Sequence, residues 1–548
     1  MHKMFTSVAA LLLLTGCQAV LPQPTSGAAP AARLEGMGMN IQRTFTPARL
    51  PKYITLGNPT SATLNWTPIS PQIYIAGQLL PSTRVGSVVS FTVPGGSKGG
   101  WGGPQTLEIR DGPNMAGRTT YVLGRSYLAD QPGGLLFLLA PGRTQGDLQR
   151  ILWSHKLQPK IDTFIPLYPS SACQGSLVEA SFGGSASDFE ALLEQLDLDA
   201  AQYPGVILGV NPRTISSTGA SPTQPDPSLV PMKAAEVIGA PKAAARGLNG
   251  KGSLIAVLDT GIGISGLGLG LKPFGSRLLP GQQFTRESQL NQDLARVTDD
   301  DFRVAGAPTG HGTQVASLAA GVPYGVAPEA SVLPLKVCNA AGQCRVGDVV
   351  RGLCWALSTA QTRSQLGSLI VNLSLGGDTG DFERDVLRKV LSQTAKYGVQ
   401  VVASAGNDWT EYLSGALYEV RQYPAALDLS NLTAVGAAEQ PVADPAHLRT
   451  SRYSVRGSWV DVLAPGTLVW ANGPDGKESS ANQGTSFAAP QVAGALALWR
   501  QRYPTDTAPA LQERLRQAAS VERVLKPDPQ AEADLYQLTR MLDVGSAP

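Results

Sequence analysis

The chain contains 548 residues, of which 43% are hydrophobic and 16% are charged. This length and composition predict a globular protein of about two to four domains, and the modest share of 60 Gly and 41 Pro excludes collagen-like and disordered chains. The 44 basic and 42 acidic residues nearly cancel, so we expect no nucleic-acid partner.

An apolar run at residues 8–14 follows a lysine and precedes the sequence Leu-Thr-Gly-Cys, which ends at Cys17. The run is too short to cross a bilayer and is typical of an export signal. Its ending resembles a bacterial lipoprotein signal, which implies that residues 1–16 are removed and that Cys17 carries a lipid. The alternative is an ordinary secretory signal that is cut near Ala19. Residues 17–50, rich at first in Pro, Ala, Ser and Gly, are predicted to form a flexible tether.

Residues 51–130 alternate apolar and polar positions in short runs between Gly and Pro, which predicts an all-β domain. The stretch Phe-Thr-Val-Pro-Gly-Gly at 91–96 resembles part of a small immunoglobulin-like β-sandwich of the IPT/TIG kind. We therefore expect a β-sandwich-like domain on the N-terminal side of the chain. Packing on the next domain and ligand binding are both open as its role.

Residues 131–213 have a different rhythm, in which predicted strands and helices follow the order βαββαβ. The predicted strands are 135–139, 161–167, 176–182 and 206–210, and the predicted helices are 145–155 and 188–196. This order is the ferredoxin-like supersecondary pattern. Residues 214–231 are dense in Ser, Thr, Pro and Gly, so we expect an exposed linker that proteases can reach.

Residues 232–548 alternate apolar strands with helices. The predicted strands are 254–258, 332–337, 369–375 and 399–404, and the predicted helices are 311–320, 348–356, 385–397 and 485–503. Near-continuous apolar strands between helices predict a parallel sheet that helices cover on both faces. The functional side chains of such sheets lie at the carboxyl ends of the strands.

Three motifs place a reactive side chain at such positions. Asp259 ends a strand in Leu-Asp-Thr-Gly, His311 opens a helix in Gly-His-Gly-Thr, and Ser486 begins another helix in Gly-Thr-Ser. A serine hydroxyl is a weak nucleophile near neutral pH, so it needs a base and a group that orients the base. In this order the motifs resemble those of the subtilisin-like serine proteases, the subtilases of peptidase family S8.

The resemblance implies an α/β fold with a doubly wound parallel sheet of the subtilisin type. It also implies a serine endopeptidase that works through an acyl-enzyme, with Ser486 as nucleophile, His311 as general base and Asp259 as the residue that orients the imidazole. The motif Ala-Ser-Ala-Gly-Asn ends at Asn407, which the resemblance makes the side-chain amide of the oxyanion hole.

Subtilases pair an extended substrate with a strand like the segment Val-Asn-Leu-Ser-Leu-Gly-Gly at 371–377. The substrate-binding residues that the resemblance implies are Ser374, Leu375, Gly376 and Gly406. The segment Tyr-Pro-Ala at 423–425 resembles the family segment near the primary specificity pocket, which would place Gln422 near the base of that pocket. With Asp408 near the rim, this placement disfavours a small, purely apolar pocket and permits polar or basic P1 residues.

Subtilases are commonly made with an inhibitory pro-domain of βαββαβ order, so the resemblance makes residues 131–213 an intramolecular inhibitor. It implies self-cleavage between residues 211 and 227, which would release the mature enzyme from the membrane tether. The expected partners are polypeptide substrates, the chain's own pro-domain and, through the lipid anchor, a membrane before processing. The expected location is exported, as a membrane-anchored lipoprotein, as a secreted extracellular enzyme after processing, or as both.

Four cysteines follow Cys17, and cysteines of exported proteins usually pair. Cys338 and Cys344 flank the turn-like stretch Asn-Ala-Ala-Gly-Gln and form the predicted disulfide. Metal binding is the competing interpretation, but it lacks a CxxC pair and a nearby histidine. Cys173 and Cys354 receive no assignment.

The predicted chemistry requires no cofactor. Subtilases often bind structural Ca²⁺, but the metal ligands are unknown here, because Asp-Asp-Asp at 299–301 suits a solvated loop as well as a ligand set. Two other functions stay open, a catalytically inert surface protein that binds a partner and a serine esterase that uses the same triad. The complete set of catalytic residue types argues against the first. The lack of a G-x-S-x-G elbow around Ser486 argues against the second.

Overall fold

A computed structural model gives the structure of the chain. The residues that it describes are 59–63, 70–75, 78–92, 103–111, 116–123, 133–153, 160–166, 173, 175–182, 206–210, 214–217, 226–263, 271–285, 297, 299, 310–377, 381–407, 422–457, 459–519 and 540–545. All of them belong to one unit of the chain, residues 42–548. Among these residues, no helix combines the length and the apolar character that a membrane span requires.

Two antiparallel sheets form the N-terminal part of the structure. Their strands are β1 (Pro59–Thr63), β2 (Pro71–Ile75), β3 (Gln78–Leu80), β4 (Ser82–Val85), β5 (Val88–Thr92), β6 (Gly103–Asp111) and β7 (Ala116–Leu123). One sheet has the order β1-β5-β4 and the other β3-β2-β6-β7. Val89 and Phe91 are buried, whereas their neighbours along β5 are partly exposed, which is the two-residue period of a strand. The IPT/TIG likeness of residues 51–130 stays a prediction.

A four-stranded antiparallel sheet follows. Its elements are β8 (Gly133–Leu139), α1 (Gln145–Trp153), β9 (Lys160–Pro166), β10 (Ser176–Phe182) and β11 (Val206–Val210). The strand order is β11-β8-β10-β9, and every neighbouring pair is antiparallel. The second predicted helix, 188–196, lies outside the described residues, so the ferredoxin-like assignment of residues 131–213 stays a prediction.

The remaining elements build a larger domain around a parallel sheet. In chain order they are β12 (Thr214–Ser217), α2 (Ala234–Val237), α3 (Ala240–Ala245), β13 (Leu254–Asp259), β14 (Gln282–Gln283), α4 (His311–Ala320), β15 (Ser331–Lys336), β16 (Gln343–Arg345), α5 (Val346–Thr362), β17 (Leu369–Leu373), β18 (Leu375–Gly376), α6 (Asp381–Thr394), β19 (Gln400–Ser404), β20 (Leu432–Glu439), β21 (Arg449–Thr450), β22 (Val462–Pro465), β23 (Thr467–Asn472), β24 (Glu478–Gln483), α7 (Thr485–Arg502) and α8 (Ala508–Ala518).

The main sheet has the order β14-β15-β13-β17-β19-β20-β21, and β22 also pairs with β20. All of its pairs are parallel except β20 with β21. This parallel sheet confirms the predicted fold class of the C-terminal domain.

The sheet separates two apolar cores. Along β13, Ile255 and Val257 face the core that contains α4 and α7, whereas Leu254 and Leu258 face the core that contains α5 and α6. A central strand of a parallel sheet is buried on both faces, which explains why β13 is apolar at every position before Asp259.

Two predicted elements differ from the structure for one physical reason, the pairing of distant segments. The predicted strand 369–375 breaks at Ser374, because β17 belongs to the main sheet whereas β18 belongs to a small sheet of order β16-β12-β18. The predicted linker is not irregular along its whole length, because its residues Thr214–Ser217 form the middle strand of that small sheet.

All four described cysteines form disulfides. Cys338 is bonded to Cys344, the pair that the sequence singled out. Cys173, which precedes β10, is bonded to Cys354 in α5, and 5.4 Å separates their Cα atoms. This second bond joins residues that are 181 positions apart in the chain. Cys17 lies outside the described residues.

Candidate active site

The carboxyl end of β13 meets the first turn of α4. Asp259 ends the strand, His311 begins the helix, and both side chains are fully buried. Nδ1 of His311 lies 2.7 Å from Oδ1 of Asp259. A carboxylate can only accept at this distance, so Nδ1 carries the proton and Nε2 is left as the basic nitrogen. This arrangement holds the imidazole in the tautomer that a general base requires.

Thr260 holds the same oxygen of the Asp259 carboxylate. Its backbone N–H donates to Oδ1 of Asp259 at 2.8 Å, and its Oγ1 accepts the N–H of Gly312 at 2.9 Å. The buried ammonium group of Lys336 donates to the carbonyl of Thr260 at 2.5 Å. The strand end and the helix start are therefore locked together around the Asp259–His311 pair.

Asp299 is a buried carboxylate that the sequence analysis did not connect with this site. Oδ1 accepts the hydroxyl of Thr260 at 2.9 Å, and Oδ2 accepts the N–H and the hydroxyl of Thr313 at 2.7 and 2.6 Å. The solvated-loop interpretation is therefore wrong for Asp299, since the residue is buried and its oxygens accept hydrogen bonds from protein donors inside the domain. The other two residues of that run lie outside the described residues.

Ser486 lies in the first turn of α7, and its side chain is fully buried. The ring of Phe487, the next residue, is 5.3 Å from the His311 ring, which places this turn against the imidazole. Within the described part of the chain, Oγ of Ser486 has no hydrogen-bond partner. The hydroxyl of Ser374 donates to the carbonyl of Ser486 at 2.7 Å, so the turn is also anchored to the start of β18.

Asn407 lies beside the same helix start. Its carbonyl Oδ1 accepts the N–H of Thr485 at 2.9 Å and the Thr485 hydroxyl at 3.1 Å. The Thr485 hydroxyl in turn accepts the N–H of Gly406 at 3.0 Å. Because Oδ1 accepts both hydrogen bonds from Thr485, the amide orientation is defined and the NH₂ group is the donor end of the side chain.

The strand β12 is paired with β18, the strand that begins directly after Ser374. On one side of β12, Ser216 is opposite Gly376 and Ser217 is opposite Leu375. On the other side, β12 is antiparallel to β16. Each step toward the C-terminal end of β12 moves the register toward Ser374, which contacts Ser486. Any polypeptide bound in this register would thus be directed toward the serine by backbone hydrogen bonds that do not depend on its sequence.

Gln422 narrows the space beside this peptide strand. Its side chain is buried, and its amide lies against Gly406, where a Cβ would be only 2.1 Å from Oε1. Gly406 also has a φ of +107°, a backbone conformation that favours glycine. The amide also faces Gly376, where a Cβ would be 3.9 Å from Oε1. The glutamine thus fills part of the volume between the substrate strand and the Asn407 loop.

The described residues contain no cluster of three or more His, Cys, Asp or Glu side chains arranged to hold a metal ion. The one described residue of the predicted calcium run, Asp299, already uses both carboxylate oxygens on protein donors. Structural Ca²⁺ stays a prediction.

Residues 250–537, more than half of the 548-residue chain, match the sequence profile of the subtilase family, Peptidase_S8. The chain belongs to the subtilase family. Subtilisin DY from Bacillus licheniformis is 31% identical over 289 residues, which are 52% of this chain and 89% of the relative. Subtilisin Savinase from Lederbergia lenta is 32% identical over 286 residues, 51% of this chain and 88% of the relative.

A solved structure of a cold-adapted subtilisin-like serine proteinase is 26% identical to this chain. It aligns with 54% of this chain and 90% of its own, with a TM-score of 0.41. From the family match and the curated relatives, the C-terminal domain is a serine peptidase domain with the subtilisin-like α/β fold.

Within this subtilase domain, the residues that the sequence singled out lie around one helix start. Contacts link Asp259 to His311, His311 to the turn of Ser486, and that turn to Ser374 and Asn407. Sequence reasoning missed the Asp299 network and the pairing of β12. The run of three aspartates was visible, but nothing in it distinguished a buried acceptor from a solvated loop.

Proposed function

We propose that this protein is an exported serine endopeptidase that is made as a self-processing zymogen. One observation carries the proposal. The strand β12 lies between β16 and β18, and its pairing with β18 points its C-terminal end toward Ser374 and Ser486. A cleft that forms hydrogen bonds with both edges of an extended backbone suits polypeptide substrates. Simple esters lack the peptide N–H groups that such hydrogen bonds need. The Asp259–His311 pair supplies a general base beside this cleft.

In the proposed reaction, Oγ of Ser486 attacks the scissile carbonyl carbon while Nε2 of His311 takes the hydroxyl proton. The carbonyl oxygen becomes an oxyanion that accepts hydrogen bonds, one of them from the Asn407 NH₂. Collapse of this intermediate breaks the C–N bond, and His311 gives its proton to the leaving amine. Water then attacks the acyl-enzyme with His311 again as base, which releases the new carboxyl terminus and restores Ser486.

In the same proposal, residues 131–213 inhibit the subtilase domain before processing, with β12 as the segment held in the cleft. The pairing of Ser217 with Leu375 supports a cut on the C-terminal side of Ser217, within the interval 211–227 that the sequence predicts. Export follows from the apolar run at 8–14, and Cys17 is the proposed lipid attachment site.

The test compares residues 18–548 of the wild type with Ser486→Ala and with the surface control Ser392→Ala. Ser392 is exposed on α6, and its hydroxyl donates to the carbonyl of Lys389 in the same helix. Wild type and Ser392→Ala should hydrolyse casein and yield a new N-terminus after Ser217. Ser486→Ala should stay full length, with a rate lower by about 10⁶-fold, a magnitude taken from subtilisin itself. Casein hydrolysis by Ser486→Ala, or an inactive and uncut wild type, would refute the proposal.

A further inference from the structure

The Cys173–Cys354 disulfide connects the segment before the linker to the subtilase domain after it. Cys173 belongs to the region of the β8–β11 sheet, and Cys354 lies in the middle of α5. The polypeptide between them passes through the linker at 214–231. The two parts are therefore joined twice, once by the backbone and once by the sulfur atoms, and hydrolysis of the linker breaks only the first connection.

The disulfide lies inside a buried apolar interface. Leu138, Cys173 and Leu177 belong to the same hydrophobic core as α5, and each is at most 4% exposed. Leu177 is directly opposite Leu138 in the antiparallel ladder, so the two side chains lie on one face of the sheet. That face is covered by the subtilase domain, so Leu138 and Leu177 pack in the same core as α5.

A charge pair continues the same face. Glu179 lies two residues after Leu177 on β10 and so projects to the same side of the sheet. Its carboxylate pairs with the guanidinium of Arg345, which ends β16. β16 also pairs with β12, so the interface, the disulfide and the strand in the cleft are parts of one continuous contact.

We propose that the processed protein is a covalent two-chain molecule, in which the segment that ends at β12 remains bonded to the subtilase domain through Cys173–Cys354. This inference rests on the proposed function, because it concerns the state after linker cleavage. It corrects the expectation that cleavage alone releases the mature enzyme. With a lipid on Cys17, the cut enzyme also stays attached to the membrane.

The tether changes the inhibition as well as the location. A linked segment meets its cleft at an effective concentration on the order of millimolar, which dilution does not lower. Release of the inhibitor thus requires a dithiol that reduces the disulfide. That exchange gives two electrons and two protons to the bond, forms two thiols, and leaves the reductant as a disulfide. The bond forms by the reverse exchange with a disulfide oxidant of the export compartment.

The first experiment measures chain connectivity in the full-length protein. Wild type, Cys173→Ser/Cys354→Ser and the matched control Cys338→Ser/Cys344→Ser are allowed to process and are run on denaturing gels with and without dithiothreitol. Wild type and the matched control should migrate as one species without reductant and as two with it. Cys173→Ser/Cys354→Ser should give two species in both lanes. Two species for unreduced wild type, with both cysteines alkylated as thiols, would overturn the proposal.

The second experiment separates this inference from the proposed function. A site for an unrelated protease is inserted after Pro222 in the Ser486→Ala chain, which cannot cut itself. After cleavage at that site, the unreduced chain should remain one species, and a peptide map should contain a Cys173–Cys354 cross-link. Two unlinked fragments would refute the tether whatever Ser486 does. A linked chain whose wild-type counterpart never self-cleaves would instead refute only the self-processing proposal.

The third experiment measures inhibition. Cut wild type, diluted from micromolar to nanomolar, should keep a constant specific activity toward a peptide substrate, and dithiothreitol should raise that activity at least tenfold. The Cys173→Ser/Cys354→Ser enzyme should gain the same factor from dilution alone. A dilution response in unreduced wild type equal to that of the double variant would contradict the tethered inhibitor.

Discussion

Replacing Asp299 tests whether the buried network behind Asp259 positions the catalytic pair. Asp299 accepts three hydrogen bonds, from the Thr260 hydroxyl and from the N–H and hydroxyl of Thr313. In Asp299→Ala the Thr260 hydroxyl can turn to the Asp259 carboxylate, which is 3.3 Å away, but the Thr313 N–H loses the acceptor it has. A buried donor without an acceptor costs about 1–3 kcal/mol. With the loss of packing, we expect Asp299→Ala to be destabilised by about 2–4 kcal/mol.

The conservative variant Asp299→Asn should retain most of this stability, because its amide oxygen can replace Oδ2 opposite Thr313. We expect a loss of about 1 kcal/mol for it. Thermal unfolding, measured in the Ser486→Ala background to prevent autolysis, should give a Tm lower by about 5–10 °C for Asp299→Ala. The exposed residue Asp428 provides the matched control, and Asp428→Ala should unfold like the parent.

The same variants in the active enzyme distinguish positioning from bulk stability. Well below the Tm, Asp299→Ala should lower kcat by about tenfold or more, since a loss of about 1.4 kcal/mol in transition-state stabilisation has that effect. KM should stay near the wild-type value, because Asp299 contacts residues behind the triad and not the peptide strand. Asp299→Asn should restore most of kcat. An Asp299→Ala enzyme with wild-type Tm and kcat would refute the reasoning.

Three further predictions concern the cleft and the start of α7. Asn407→Ala should lower kcat by about 10²–10³-fold with little change in KM, a magnitude taken from subtilisin itself, and equal losses in both would contradict its oxyanion role. Gln422→Gly should raise the kcat/KM ratio of Phe over Ala at P1 by about 10–100-fold, because burying a Phe contributes about 1.5–3 kcal/mol. An unchanged ratio would contradict the inference that Gln422 limits the size of the P1 pocket. Tyr453 accepts the N–H of Gly484, and burial raises the pKa of its phenol above the ordinary value of 10.0. Above about pH 10 the unfolded phenol ionises while the folded one stays protonated, so stability should fall as pH rises, and Tyr453→Phe should flatten the Tm profile above about pH 10.

The Cys173–Cys354 disulfide and the β12 strand in the cleft mean that activation of the proposed zymogen has two separate steps. Hydrolysis of the linker breaks a peptide bond, whereas separation of the two chains also requires reduction of the Cys173–Cys354 disulfide. An assay that follows only backbone cleavage would score the tethered molecule as mature. Reducing and non-reducing conditions therefore have to be compared in every activity measurement on this protein.

The local sequence pattern was sufficient to predict helices and strands whose bounds depend on neighbouring residues. The helix predicted at 311–320 and the strand predicted at 176–182 have the predicted bounds. The short apolar run that ends in Asp259 is typical of a buried strand whose carboxyl end is polar, and a helix start that follows a glycine is visible in the residues around Ser486. The roles of Asp259, His311 and Ser486 came instead from the resemblance of these three motifs to those of the subtilases.

Only the tertiary structure shows which distant residues pair with each other when the neighbouring sequence does not indicate the partner. Cys173 and Cys354 are 181 positions apart, and no spacing rule connects them. Asp299 became a buried acceptor because Thr260 and Thr313 reach it from two different elements. Residues 214–217 have the composition of a linker, yet they form a strand because β16 and β18 offer two unpaired edges. Periodicity and capping act over a few residues, whereas these pairings depend on which distant surfaces the fold brings together, and that information exists only in the folded chain.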